Sequence, residues 1–277
     1  MHRRMTVLRP VLAVLLAGSL LAACSSDGDD ASPPGADVEA TTTVPAAPLK
    51  ILYSNDDGIT NPAIDVLLGM LLDEPGVEVT VVAPAENKSG SSDTTTPGGA
   101  TYQAATTPAG VEGYAVNGFP ADSLAVGLDE LDLDPDLVVS GINPGQNVGP
   151  FASLSGTVGV GRTAIRRGIP ALAVSAAIEF DQAQFAYGAQ LAMEWIRANR
   201  DALVDGSAQI DTVTSFNIPN CAPAQMGALQ TVPLATVVPE GVNPFESSCD
   251  KSNPNPGDDV IAISVGFPAV TQVPPDL

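Results

Sequence analysis

From Leu49 onward, short apolar runs alternate with longer stretches in which apolar residues recur every three or four positions. This is the pattern of strands interleaved with helices. Lys50–Ser54 (KILYS) reads as a short strand, followed at once by Asn55-Asp56-Asp57-Gly58. Pro62–Leu72 (PAIDVLLGMLL) has helical spacing, with Asn61 as a cap and Pro62 at the first helical position. Val77–Ala83 is a β-branched strand, and Glu86–Gly99 is a polar Ser/Thr/Gly loop. Tyr102–Val116 holds one or two edge strands, and Pro120–Leu131 a weakly patterned helix. Asp136–Ser140 (DLVVS) is a strand of the buried type, followed by a loop over Gly141–Gly149. Ser155–Arg167 is predicted helical, Ala171–Ser175 a strand, Gln182–Ala198 an amphipathic helix and Thr212–Asn217 a strand. From Pro219 the chain is Pro/Asn-rich and less regular, with one strand expected at Val260–Val265.

Strands that alternate with helices imply crossover connections and a parallel sheet covered on both faces. The predicted fold class is α/β, a three-layer Rossmann-like arrangement with a mostly parallel sheet and a small irregular C-terminal part. Ligands of such sheets gather at the carboxyl ends of the strands, where the winding reverses. Polar clusters stand at those ends: Asn55-Asp56-Asp57-Gly58, Asn87-Lys88-Ser89-Gly90, and Ser140-Gly141-Ile142-Asn143 running on to Asn147. A fourth, Ser155-Gly156-Thr157, opens a helix.

The segment before Leu49 has a different pattern. Met1–Pro10 carries His2, Arg3, Arg4 and Arg9 with no acid, and Val11–Ala22 is an apolar run. The run is shorter than the roughly 20 residues that span a bilayer, so residues 1–23 read as a secretory signal. Leu21-Ala22-Ala23-Cys24 looks like a lipoprotein processing site, with Cys24 as the lipidated N-terminus. Residues 24–48, rich in Ser, Asp, Pro, Ala and Thr, read as a tether. An exported protein, anchored to the membrane only through that lipid, is the expectation. The folded domain is then 49–277.

Composition sharpens this picture. The chain of 277 residues has 11 Lys+Arg, 32 Asp+Glu and a formal charge of -21. Removing residues 1–23 takes three Arg, the only His and no acid, which leaves eight bases against 32 acids and a charge of -24. Such a chain cannot neutralise a run of phosphates, so duplex nucleic acid is excluded as a main partner. Without histidine, a Ser-His-Asp triad or an imidazole base is excluded too. Cys221 and Cys249 remain, and outside the cell a disulfide between them is the default reading. Two unpaired thiols, or a metal site of two Cys without His, are the weaker alternatives. Aromatic residues are only 4%, so stacking platforms should be few.

The clusters carry the candidate chemistry. Asp56 and Asp57 repel each other unless a cation holds them. Alone, Asp-Gly is a common turn dipeptide; the other clusters at equivalent positions favour a site. Carboxylate, hydroxyl and amide oxygens form a hard donor set, suited to Mg²⁺, Mn²⁺ or Ca²⁺ rather than Zn²⁺. Ser155-Gly156-Thr157 offers helix-start N–H groups to a phosphate, or Ser155 simply caps the helix. Asn143 and Asn147 flank glycines and also fit plain turns. Lys88 fits two roles equally, screening a phosphate or solvating a loop.

Four of these motifs together resemble the SurE family of survival-protein nucleotidases. They are Lys50-Ile-Leu-Tyr-Ser-Asn-Asp-Asp-Gly-Ile59, Val81-Val-Ala-Pro84 with Asn87-Lys-Ser-Gly90, Val138-Val-Ser-Gly-Ile-Asn-Pro-Gly-Gln-Asn147, and Ser155-Gly-Thr-Val158. Gly168–Ser175 fits the family's next strand. The resemblance covers Lys50–Ser175 well and the remainder loosely. It implies a metal-dependent phosphatase acting on nucleoside 5′- or 3′-monophosphates. Its metal ligands map to Asp56, Asp57, Ser89 and Asn143, with Asn147 and Ser155, Gly156 and Thr157 in the phosphate pocket. The cation would be one Mg²⁺ or Mn²⁺, with Ca²⁺ also fitting. The family is usually dimeric or tetrameric, so a homodimer is among the implied partners. Two departures stand out. Asn61-Pro62-Ala63 replaces the family's Ala-Pro-Gly, and its late aromatic and basic segment is absent from 221–255, which leaves oligomer state and nucleoside recognition open.

The mechanism expected from this inventory is hydrolysis by a metal-activated water, with the helix-start donors and Asn147 on the phosphoryl oxygens. Base duty falls to the metal-held water itself, assisted by Asp56 or Asp57. A covalent phospho-aspartate is the rival mechanism. A non-catalytic metal- or solute-binding surface lipoprotein is the rival class of protein.

Overall fold

The computed structural model describes residues 47–178 and 181–277. The expected signal segment, Cys24 and the tether as far as Ala46 lie outside the described residues. In chain order the elements are β1 (Leu49–Ser54), α1 (Ile64–Leu72), β2 (Val77–Pro84), β3 (Thr101–Thr106), β4 (Glu112–Asn117) and α2 (Pro120–Ala125). They continue with β5 (Leu137–Pro144), α3 (Gly156–Arg166), β6 (Ala171–Ala176), α4 (Gln182–Val204), β7 (Val213–Asn217), β8 (Gln230–Thr231), α5 (Asp259–Ser264) and β9 (Ala269–Val273).

The nine strands form one sheet in the order β3-β4-β2-β1-β5-β6-β7-β9-β8. All neighbours are parallel except β3 against β4 and β9 against β7. Central strands are buried on both faces, as parallel strands under helices must be. On one face Ile51, Tyr53, Val139 and Val174 pack with Leu67 and Leu68 of α1 and Phe185, Ala189 and Met193 of α4. On the other, Leu52, Val138 and Ala173 pack with Leu124 of α2 and Val158, Val160 and Ala164 of α3. The strand period of two thus sends neighbours such as Ile51 and Leu52 into opposite layers. The three-layer α/β architecture is the one the pattern predicts.

Several boundaries differ from the prediction, each for a local reason. Val260–Val265 is not a strand; its first five residues belong to α5. Asp258 caps that helix by accepting the Ile261 N–H, and Gly266, at φ +95°, follows its end. Val260 and Ile263, three apart, are both fully buried. A short apolar run fits strand and helix alike until its caps are read. The strand comes later, as β9. The loop expected at Gly141–Gly149 starts later too, because β5 runs through Pro144 with a register irregularity against β6 between Ser140 and Asn143. Asn61 accepts the Ala63 N–H in a turn, and α1 starts only at Ile64. The helix expected over Pro120–Leu131 is α-helical to Ala125 and continues as a wider π-type turn over Val126–Glu130. The helix expected to end at Ala198 runs on to Val204.

The C-terminal part has a small core of its own, in which Val148 meets Val260, Ile263, Phe267 and Ala269. Cys221 and Cys249 are joined by a disulfide, with Cα atoms 5.8 Å apart. Asp259, fully buried, stitches this part to the main sheet. Its Oδ2 accepts the Gly149 N–H at 2.9 Å, and its Oδ1 accepts the Ala235 and Val260 N–H groups at 2.8 and 2.9 Å. Among the described residues no helix is long and apolar enough to cross a membrane.

Truncating Asp259 strands backbone donors in an apolar setting. Asp259→Ala is expected to lower unfolding free energy by about 3 kcal/mol, measured as a fall in the urea midpoint at unchanged m-value.

Candidate active site

Strand order sets the place of the site. The chain before β5 builds outward on one side of β1, and the chain after it builds outward on the other. The winding therefore reverses between β1 and β5, where Ser54 pairs with Ser140. A crevice at the carboxyl ends of these two strands is the expected ligand position.

At the end of β1, Asn55 closes a turn on Gly58. Its Oδ1 accepts the Gly58 N–H at 3.1 Å and its Nδ2 donates to the Gly58 carbonyl at 3.0 Å. Gly58 has φ +98°, a conformation that glycine adopts at little cost. This turn presents Asp56 and Asp57. Asp56 is only 2% exposed, and its Oδ1 accepts the Thr157 hydroxyl at 2.6 Å. Burial raises its pKa, opposed by the Thr157 hydroxyl and by backbone N–H groups of Asp56, Thr157 and Gly156. The start of α3 thus faces an anion, and the anion is this protein's own carboxylate. Glycine is required at 156 for that approach: a Cβ there would lie 2.7 Å from the Asp56 Cβ.

Asp57 is held differently. Its Oδ1 accepts the Asn87 amide at 3.1 Å, while its Oδ2 is buried with no hydrogen-bond partner. Burial first, and the Asp56 charge second, push its pKa up to about 7 against the pull of Asn87. Asn87 belongs to the loop after β2. Its Oδ1 also accepts the Ser89 N–H at 2.9 Å, and the Lys88 N–H donates to the Asp56 carbonyl at 2.7 Å. That loop is therefore locked onto the acidic turn. The Lys88 ammonium lies 3.9 Å from the Glu86 carboxylate.

From β5, Asn143 donates Nδ2 to the Gly145 carbonyl at 2.7 Å, which sets the orientation of its amide. The Asn147 N–H donates to Asn217 Oδ1 at 2.7 Å, and Asn147 Nδ2 to Ser175 Oγ at 2.8 Å, so the ends of β6 and β7 hold it. Ser155 caps α3, accepting the Val158 N–H at 3.1 Å.

Asp56, Ser89, Gly90, Asn143, Gln146, Asn147 and Ser155 line one open cavity of about 330 Å³, together with Phe151, Leu154, Ile178 and Phe245. Asp57 adjoins Asp56 in the turn without lining it. Gly156 and Thr157 stand behind Asp56 and do not line it either. Thr157, expected at a phosphate, is fully buried with its hydroxyl on Asp56. Asn55, Asn87 and Gln146 fall within the predicted polar clusters but have no predicted role of their own, and neither phenylalanine is predicted at the site. A polar residue directly after a buried strand was the only signal for Asn55. Phe245 carries no local signal, because it arrives from a segment more than 90 residues away.

A doubly wound α/β domain with an acidic crevice at its switch point is the class that fold and geometry define. The sequence profile of the family described as "Survival protein SurE" matches residues 51–238. A protein of Synechococcus sp. (strain WH7803) named 5′-nucleotidase SurE is 34% identical, over 83% of this chain and 92% of its own. A protein of the same name from Prochlorococcus marinus (strain MIT 9303) is 33% identical over the same shares. The crystal structure of the Sure protein from Aquifex aeolicus superposes with a TM-score of 0.64 at 26% identity, covering 82% of this chain and 94% of that one. The chain belongs to the SurE family.

The Asp57 shift has a stability consequence. Its folded value near 7 exceeds its ordinary value of 3.8, so between them the folded state holds more protons than the unfolded chain. Stability from this group therefore falls as pH rises through that window and levels off above about 7. Thermal midpoints in chelator-containing buffer are expected to drop between pH 5 and 8. Asp57→Asn should flatten that drop and melt higher than the unsubstituted protein at pH 8.

Proposed function

We propose that this protein hydrolyses nucleoside 5′- or 3′-monophosphates to nucleoside and phosphate in the cavity between β1 and β5. The observation that carries the reading is the Asp56–Asp57 pair at the switch point, with Asp56 buried in the wall of a cavity that Ser89, Asn143, Asn147 and Ser155 also line, Asp57 half-buried beside it, and no ion pair to either acid among the described residues. The names of its relatives support the reaction class.

The pair fits a hard divalent cation. Asp57 Oδ2 is buried and unpartnered, a state that a cation would relieve. Among the described residues no group of three or more His, Cys, Asp or Glu could hold a metal. The site instead offers two carboxylates with hydroxyl and amide oxygens, which suits Mg²⁺ or Mn²⁺, and Ca²⁺. Asp56, Asp57, Ser89 and Asn143 would hold the ion. When bound, a divalent cation supplies Lewis-acid polarisation of the phosphoryl group and a lowered pKa for water.

The chain's own residues supply the rest. Thr157 and the first N–H groups of α3 aim Asp56 and oppose the rise in its pKa that burial causes. Asn87 orients Asp57. Asn147, braced by Ser175 and Asn217, presents a side chain at the same cavity as the helix cap Ser155. These neutral groups are placed to bind phosphoryl oxygens. With no imidazole in residues 24–277, the carboxylates are the side chains of this site able to take a proton from water.

We also propose export and anchoring through Cys24. The basic and apolar N-terminal pattern supports this, as does the Cys221–Cys249 disulfide, a bond typical of oxidising compartments. Cys24→Ser should abolish incorporation of labelled fatty acid and release the protein from the membrane fraction.

Phosphate release from AMP tests the main reading. Activity should require added Mg²⁺ or Mn²⁺, vanish with EDTA and return on resupply. Asp57→Asn should lower kcat at least about 100-fold with circular dichroism unchanged. Thr157→Val, which frees Asp56, should cost about 10- to 100-fold. A metal-independent rate, or an active Asp57→Asn, would refute the roles given to the cation and to Asp57; no phosphate release with either metal would refute hydrolysis and leave a binding role.

A further inference from the structure

The cavity has a second character that the phosphate chemistry does not use. Phe151 and Phe245 both line it, with ring centroids 4.9 Å apart and planes at 65°. Leu154 and Ile178 line it too and are 57% and 53% exposed. Only seven phenylalanines occur in the chain, and two of them meet here. Large apolar side chains left open beside buried acids form a patch that a ligand would cover.

The lining residues also show what is missing. None is Lys or Arg. Side-chain cations therefore give an anionic substrate nothing here beyond what a cation held by the acids would supply, and the apolar side chains are free to take an uncharged part of it. A nucleobase is flat, aromatic and able to lie against ring faces or edges. We propose that Phe245 and Phe151, flanked by Leu154 and Ile178, form the platform for the base of a nucleoside monophosphate, and that Phe245 determines preference for nucleotides over other phosphomonoesters.

The proposal rests on the reading of the site given above. It assigns a role to the segment between Cys221 and Cys249, which the disulfide closes. The disulfide fixes Cys249, four residues after Phe245. Ser248 and Lys251 donate their N–H groups to the carbonyls of Ser264 and Val265 at the end of α5. The Phe245 N–H donates to Asn243 Oδ1 at 3.1 Å. The ring is thus delivered by a stapled segment. Phe151, four residues before Ser155, comes from the turn between β5 and α3. The base platform and the phosphate donors share one short stretch of chain.

Steady-state kinetics with AMP and with glycerol 2-phosphate test this, each with saturating Mn²⁺. The unsubstituted protein should favour AMP in kcat/KM by at least tenfold. Phe245→Ala should raise KM for AMP about tenfold with kcat held and leave glycerol 2-phosphate unchanged, and Phe245→Trp should restore AMP. An unchanged KM for AMP in Phe245→Ala would overturn the platform while leaving the hydrolase reading intact. Equal losses on both substrates would overturn it as well, since they would mark a structural role. If the unsubstituted protein hydrolyses neither ester, the hydrolase reading fails, and calorimetric titration with AMP decides the platform alone. Weaker binding to Phe245→Ala than to the unsubstituted protein supports it, and equal binding refutes it.

Discussion

Asp56 is a carboxylate enclosed by protein, and the beginning of α3 is built around it. The Thr157 hydroxyl reaches its Oδ1, N–H groups at 156 and 157 favour its charge, and the absence of a side chain at Gly156 leaves it room. Burial alone would neutralise such a group. The helix start offsets that tendency, so the positive end of α3 serves the protein's own anion first. Everything nearby is arranged around the charge so fixed. Asp57 sits beside it, and its pKa rises partly because Asp56 is there. The loop carrying Ser89 is tied to both residues, by Lys88 N–H on one and the Asn87 side chain on the other.

This arrangement holds unspent electrostatic repulsion. Among the described residues no ion pair joins either of these adjacent acids to an arginine or lysine, and the Lys88 ammonium lies 3.9 Å from Glu86. Proteins commonly carry such local costs at functional sites, and the surrounding fold holds them in place. Here the restraint comes from the switch point of a sheet buried on both faces, from the Asn55 lock on Gly58, and from the braces on Asn147. None of these contacts needs a charge of its own, which is consistent with so acidic a chain.

The C-terminal part reaches the site from a different direction. The strands and loops that form the acidic crevice lie in the region of strong resemblance. Residues 221–255 are held by a disulfide and by hydrogen bonds to the end of α5. Asp259 then joins this part to Gly149, at the head of the turn that leads to Ser155. A segment stapled in this way can contribute Phe245 to the cavity wall without touching the acids' own hydrogen bonds.

Much of the fold was legible in the sequence because local rules govern it. Alternating apolar patterns give β1, β2, β6 and α4 their type, and an acidic cluster directly after a buried strand marks a crevice residue. Asp56 is named for that reason, and Ser89, Asn143, Asn147 and Ser155 because polar clusters at the ends of other strands and at a helix start face the same crevice. The failures have physical causes as well. Val260–Val265 is apolar at both periods, and only the Asp258 cap and Gly266 decide for a helix. Thr157 could bond a ligand or a neighbour, and the choice depends on Asp56, 101 residues earlier. Phe245 reaches the cavity through a disulfide and a small core, neither of which leaves a trace beside it in the chain. Local pattern and donor chemistry belong to the sequence, because they depend on neighbours along the backbone. Which donor meets which acceptor, and which rings line the cavity, belong to the tertiary structure, because those distances exist only once the sheet is closed between its helices.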